Sequence, residues 1–284
     1  MFTRHLTRTH PLKFGGIILR VMLMKSFISF LLAFLLCALL GAGLSLMYVQ
    51  TVMMPKFESK TIKDTKADLL AHPEFLQQMA NAYQAQQETI QKTQASELVL
   101  DQLNAVKQGI VVAKHSDAPV TVVEFFDYQC IFCSKLAPVI NDLSQDDQLQ
   151  FIFHETPIFG SRWPVSTLAA KVGNAVYEAK GMHAYDNYHR ALFATGHNEG
   201  HLTKQDIHTA LADLSLSVDD LTLSDNEVNH TMTLFQTLGF RGTPALIVMP
   251  TQHPTADNIH VIFGADPVQI KQAIAQVKQS FKEK

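Results

Sequence analysis

From Ser26 to Val49 the sequence is uncharged and dominated by Leu, Phe and Ala. As a helix, this 24-residue run is long enough to cross a hydrocarbon layer of about 30 Å. The pattern then changes. Residues 58–105 are rich in Ala, Gln, Glu and Lys, contain no Gly and only Pro73, and predict helix from about Asp64, with Pro73 at a start or a break. Leu69, Leu76, Met79, Tyr83 and Ile90 recur there at a/d-like spacing, with polar Gln86 between the last two. Such a stripe either packs on the rest of its own polypeptide or pairs with another copy. Its place between an apolar run and a segment complete without it favours self-association.

The remainder alternates strand and helix patterns. Val120–Phe126 is a β-branched and aromatic run bounded by Pro119 and Asp127, which predicts a buried strand. A helix follows, with Leu136, Val139, Ile140 and Leu143 on its apolar face and Pro138 expected to kink it. Leu149–Phe153 predicts the next strand, ending in His154 and Glu155, which read as a surface pair rather than a catalytic dyad. Helical patterns follow over Ser166–Ala179, Ala184–Ala194, Lys204–Leu214 and Asp225–Leu238, and the sole tryptophan, Trp163, is expected in the core. Leu246–Met249 and Asn258–Phe263 predict strands, the second at an edge. Asp266-Pro267 opens a last helix with Ile270, Ile274, Val277 and Phe281 on one face.

Charge sharpens the amino-terminal reading. Of 23 basic residues, five (Arg4, Arg8, Lys13, Arg20 and Lys25) precede the apolar run, while the first acidic residue is Glu58. The positive-inside rule therefore makes residues 1–25 a cytoplasmic basic segment and sends everything beyond residue 54 outside. Residues 26–49 are then either a transmembrane anchor or a signal peptide, with Gly41-Ala-Gly43 as a small-residue cleavage site. Cys37 follows Leu36, where a lipoprotein signal needs a small residue, so it reads as helix packing. The sequence after residue 25 holds 18 basic and 26 acidic residues, a formal −8, which argues against nucleic-acid binding.

Three cysteines are too few for a disulfide-stapled scaffold, and two form one C-x-x-C, Cys130-Ile-Phe-Cys133. No second cysteine pair completes a zinc site. Cys130 falls at the amino end of the predicted helix, where unsatisfied N–H groups and the helix dipole stabilise a thiolate, making it the attacking thiol. Cys133 lies one turn deeper on the same face and can resolve a mixed disulfide formed at Cys130. Ile131 and Phe132 offer the thiolate no side-chain hydrogen bond and are expected to desolvate it in part. No metal or cofactor is expected besides the redox-active pair itself.

The segment Glu124-Phe-Phe-Asp-Tyr-Gln-Cys130, then Pro138, then Arg241-Gly-Thr-Pro-Ala245 resembles the DsbA-like branch of the thioredoxin superfamily, including the oligomeric DsbG, ScsC and Com-type members. The resemblance covers about residues 65–284. It implies an α/β thioredoxin fold over 110–284 with a helical insertion at about 161–238, preceded by the membrane or signal segment and by a helical oligomerisation stalk over 58–105. It further implies that Pro244 is cis, that Thr243 and Pro244, with Ile131 and Phe132, contact substrate, and that Glu124 is a buried acid relaying the proton of Cys133. The implied activity is periplasmic formation or isomerisation of disulfides in exported, cysteine-containing proteins, with a membrane redox partner of DsbB or DsbD type. Thr243 before the proline resembles the isomerase members. Relatives commonly carry Pro or Gly, then His or Tyr, between the cysteines, so Ile131-Phe132 leaves the direction of exchange open. Two rivals from other classes are a copper-binding module using the cysteine pair and a surface interaction protein that retains the fold.

Overall fold

The computed structural model describes residues 15–113 and 117–281. Residues 1–14 of the basic segment and the last three residues of the expected domain lie outside them. The polypeptide divides into two compact units, one ending at Ala82 and one beginning at Tyr83.

In the first unit α1 (Gly15–Tyr48) passes through a π-helical turn, Val49–Met53, into α2 (Met54–Ala71). Phe30–Met53, 24 residues of mean hydropathy 2.5, is long and apolar enough to cross a membrane. The expected span, 26–49, begins four residues earlier. Helix begins well before Asp64, and His72 leaves the helical region (φ −125°, ψ 64°) just before Pro73 opens α3 (Pro73–Asp101). Pro73 is thus a helix start, where its missing N–H costs nothing. On α3, Leu76 and Met79 are exposed, as are Tyr83 and Ile90 in the second unit, whereas Leu69 on α2 is partly covered.

The second unit is built on a five-stranded sheet of order β1-β3-β2-β4-β5, with β1 Ile110–Ala113, β2 Val120–Phe126, β3 Leu149–Glu155, β4 Ala245–Pro250 and β5 His260–Phe263. β2 is central, parallel to β3 and antiparallel to β4, and every residue of it is buried. The short helix α4 (Leu103–Val106) leads into β1, a strand that the sequence pattern did not reveal. α5 (Ile131–Leu143) is the crossover from β2 to β3, and Pro138 lies inside it. Between β3 and β4 stand α6 (Pro164–Lys180), α7 (Met182–Ala194), α8 (Lys204–Ala212) and α9 (Asn226–Thr237). α10 (Pro267–Ser280) closes the unit.

Strand alternation sends β2 side chains to two cores. Val120, Val122 and Phe126 join Leu136 and Ile140 of α5, Val172 and Val176 of α6, Tyr188 of α7 and Ile274 of α10. Val123 and Phe125 join Leu234 and Phe235 of α9, together with Ala95 and Val99 of α3 and Val106 of α4. The end of α3 is therefore a core helix of the second unit, and Ser96 donates from Oγ to the Ile259 carbonyl at 3.0 Å. That corrects the stalk boundary: 58–105 does not end where the domain begins, because its apolar residues 95–99 complete one face of the sheet. Trp163 is also corrected. It is only partly buried, packed on Phe159 and under the Arg162 guanidinium, because it stands at the solvent-side start of α6.

Candidate active site

β2 ends at Phe126, and a four-residue turn closed by the Cys130 N–H on the Asp127 carbonyl (2.9 Å) delivers Cys130 to the N-cap of α5. Cys133 follows one turn down, inside the core. Both thiols are free, and neither residue is exposed, at 4% and 1%. Exposure therefore does not separate them; stabilisation of the thiolate does. The Cys130 thiol is lowered to about 6, first by the Cys133 thiol, against burial, with further help from Thr243 and the backbone N–H groups of Cys133 and Phe132. Burial, then the hydrogen bond to Cys130, pushes the Cys133 thiol well above its usual range. One sulfur is the easier to ionise and the other holds its proton.

The Thr243–Pro244 peptide is cis, and in the protonated form Cys130 Sγ donates to the Thr243 carbonyl at 3.1 Å. That carbonyl cannot donate to a thiolate. The Thr243 hydroxyl can: Oγ1 is buried without a hydrogen-bond partner in the thiol form and stands close enough to favour the anion. Phe132, Thr243 and Pro244 line one groove, which Ile131 does not join. Phe132 is 56% exposed, and the Lys135 ammonium lies 5.8 Å from its ring centroid.

Glu124 pairs with Phe153 and Leu246 in the sheet and shares the α5-facing side of β2 with Val122 and Phe126. Burial, and then the charge of Cys130, raise its carboxyl to about 8. Its charge in turn contributes to the high Cys133 pKa. The structure thus brings Glu124, Cys130, Cys133, Thr243 and Pro244 together.

His154 and Glu155 are buried, which corrects their reading as a surface pair: two sheet neighbours and the inserted helices cover the end of β3. His154 stacks on Phe125 at 4.5 Å, and its Nε2 lies 2.9 Å from the Val106 carbonyl. Burial holds its pKa down to about 4, so the ring is neutral at pH 7 and Nε2–H is the donor. Glu155 Oε1 accepts from Tyr128 (3.0 Å) and Tyr185 (3.1 Å), Oε2 has no hydrogen-bond partner among the described residues, and burial pushes the carboxyl well up.

Other residues holding the turn before the cysteine pair carried no assigned role in the sequence. Asp127 accepts from the N–H groups of Gln129 (2.8 Å) and Phe159 (2.9 Å) and from the Ser166 hydroxyl (2.8 Å). Gln129 ties the turn to the loop after α7: its Oε1 accepts from Gly200 N–H (2.8 Å) and its carbonyl from Glu199 N–H (2.9 Å). The available signal was position alone, directly before the cysteine pair.

A family model described as thioredoxin matches residues 106–260. BcfH of Salmonella enterica Typhimurium is 33% identical, with a TM-score of 0.66 over 81% of this chain and 99% of that one. Two more distant structures share the fold. Proteus mirabilis ScsC in a transitional conformation is 19% identical (TM-score 0.52; 78% of this chain, 97% of that). The thiol-disulfide exchange protein alpha-DsbA2 of Wolbachia pipientis is 21% identical (TM-score 0.52; 64% and 95%). No curated protein matches this sequence.

Proposed function

The protein belongs to the thioredoxin family, in its DsbA-like branch, and from that premise we propose that it is a thiol–disulfide oxidoreductase working through Cys130 and Cys133. The observation that carries this reading is the split between the two thiols, one lowered to about 6 and the other held protonated one helical turn away. A fold shared with the thiol-disulfide exchange protein alpha-DsbA2 supports it.

In the reducing direction, the Cys130 thiolate attacks one sulfur of a substrate disulfide. A Cys130–substrate bond forms, and the other substrate sulfur leaves as a thiolate and takes up a proton. The negative charge on Cys130 is then gone, and with it the second cause of the high Glu124 pKa. The Glu124 carboxylate becomes easier to form when Cys133 must lose its proton. Cys133 attacks the Cys130 sulfur, the mixed disulfide breaks, and the second substrate thiol is released. Substrate gains two electrons and two protons while the enzyme pair becomes a disulfide. Oxidation runs the same steps backwards.

The finer reading is isomerase activity on exported proteins in the periplasm, anchored or released by the apolar segment and reset by a membrane partner of DsbB or DsbD type. The exposed apolar stripe of α3 supports it, since pairing of two copies there would bring two sites near one substrate and raise the effective concentration. Cys133→Ala should accumulate mixed disulfides that a reductant releases, and Cys130→Ala should not. Trapping by Cys130→Ala instead reverses the roles, and trapping by neither variant removes the reading. Insulin reduction and scrambled-ribonuclease recovery then distinguish reductase from isomerase.

A further inference from the structure

The groove beside the redox pair has a wall that the sequence assigned to the stalk. It encloses about 910 Å³, and one side is Phe132 and Thr243–Pro244, the other the face of α3 bearing Gln91, Gln94 and Leu98. These three positions fall at successive-turn spacing, so they form one face. Gln91 and Gln94 are exposed and their side chains make no hydrogen bond among the described residues, while Leu98 is half-buried. Resting on the exchange chemistry proposed above, we propose that this glutamine face of α3 is a polypeptide-binding wall, so that the site takes extended, cysteine-containing polypeptide in preference to small disulfides.

Three features of the groove fix the occupant. The first is continuity: the Thr243 carbonyl at its end lies 3.1 Å from Cys130 Sγ, so an occupant that carries a disulfide can bring a sulfur to that thiol. The second is chemistry. Phe132, Pro244 and Phe263 supply an apolar floor, and each free glutamine amide offers donors and an acceptor that pair with the backbone carbonyl and N–H groups of any sequence. The volume is at the upper end of what single small molecules fill, which suits several residues of extended polypeptide. The third is charge. Of the charged lining residues, Glu88 is paired with Lys92, and Asp266 is engaged at the N-terminus of α10, where it accepts from Val268 and Gln269 N–H. Arg241 has no partner among the described residues, so an acidic side chain near the substrate cysteine complements the groove.

The test uses the full-length protein in detergent and two probes: glutathione disulfide, and a short peptide carrying a Phe and a Glu beside a cysteine in disulfide linkage. Gln91→Ala/Gln94→Ala should lower kcat/KM for the peptide by about tenfold, as expected for two lost backbone hydrogen bonds, and leave glutathione disulfide unchanged. Gln94→Trp, which fills the groove from an exposed position, should do the same without altering the thermal melt. Arg241→Ala should abolish the preference for this peptide over one with Gln in place of Glu. If the double variant and Gln94→Trp slow both probes equally, or neither, α3 serves the fold alone and the proposal is overturned. A wild type inert towards both probes instead refutes the exchange chemistry beneath it.

Discussion

Glu124→Gln isolates what a buried acid does in this site. In the unfolded state the carboxyl ionises with its ordinary value of 4.5, whereas in the fold it holds its proton to about 8. A group whose pKa rises on folding makes the unfolded state release its proton first, so stability falls as pH rises from 4.5 to 8 and is flat on either side. At about 1.4 kcal/mol per pH unit, the wild type at pH 7 has lost on the order of 3 kcal/mol that a neutral glutamine does not lose. Glutamine's own packing is pH-independent and cancels if the stability difference between the two proteins is followed across pH. The neutral histidines, His154 held to about 4 and His189 to about 3, cancel as well because both proteins contain them. Urea unfolding of the reduced proteins from about pH 5 to pH 8 should show the variant gaining on wild type by roughly 1.4 kcal/mol per unit. In the disulfide form the Cys130 charge is absent and the gain should be smaller. Resolution of mixed disulfides should slow in the variant, because no carboxylate remains to take the Cys133 proton. A difference that stays constant over this range would mean that Glu124 is already ionised in the fold, so that burial does not hold its proton; a variant that resolves mixed disulfides as fast as wild type would refute the relay role.

Other expectations follow from the packing. A protein starting at Tyr83 should keep a cooperative melt, whereas one starting after Ala105 should not, since it loses Ala95, Val99 and the Ser96–Ile259 bond from the second core; circular dichroism of both decides it. Gly173→Ala should cost about 1–3 kcal/mol in denaturant unfolding, because the added methyl meets Glu155 Oε1 deep in the core; no loss would show that α6 shifts freely. Phe132→His should lower the Cys130 pKa below about 6 and make the couple more oxidising, read by thiolate absorbance and glutathione equilibration, unless backbone donors alone set the site.

Strong local signals carried the sequence reading, and weak ones marked its limits. The run Val120–Phe126 followed by Cys130 is legible because strand, turn and helix start are written in adjacent residues, and the four inserted helices match within a few residues at each end. β1 escaped notice because Ile110–Ala113 has only four residues, too short for a period, and depends on pairing with β3. His154 and Glu155 looked exposed because polarity at a strand end normally means solvent. Burial there is decided by Tyr128 and Tyr185, which are 27 and 30 residues from Glu155. The role change along α3 was invisible for a similar reason: Ala95 and Val99 make an unremarkable helical pair until a sheet face arrives to receive them.

In the proposed exchange chemistry, the electrostatic link between Glu124 and Cys130 also couples electrons to protons. Between pH 6 and pH 8 the reduced pair holds one proton, on Cys133, because Cys130 is already ionised, while Glu124 keeps its own. Oxidation removes the Cys130 charge and loosens the Glu124 proton, so a two-electron reduction takes up one proton on sulfur and a further fraction on the carboxyl. The midpoint potential should therefore fall by more than the roughly 30 mV per pH unit of a single proton, approaching twice that where Glu124 follows fully. The strand acid makes the redox couple respond to acidity more steeply than its two sulfurs would alone.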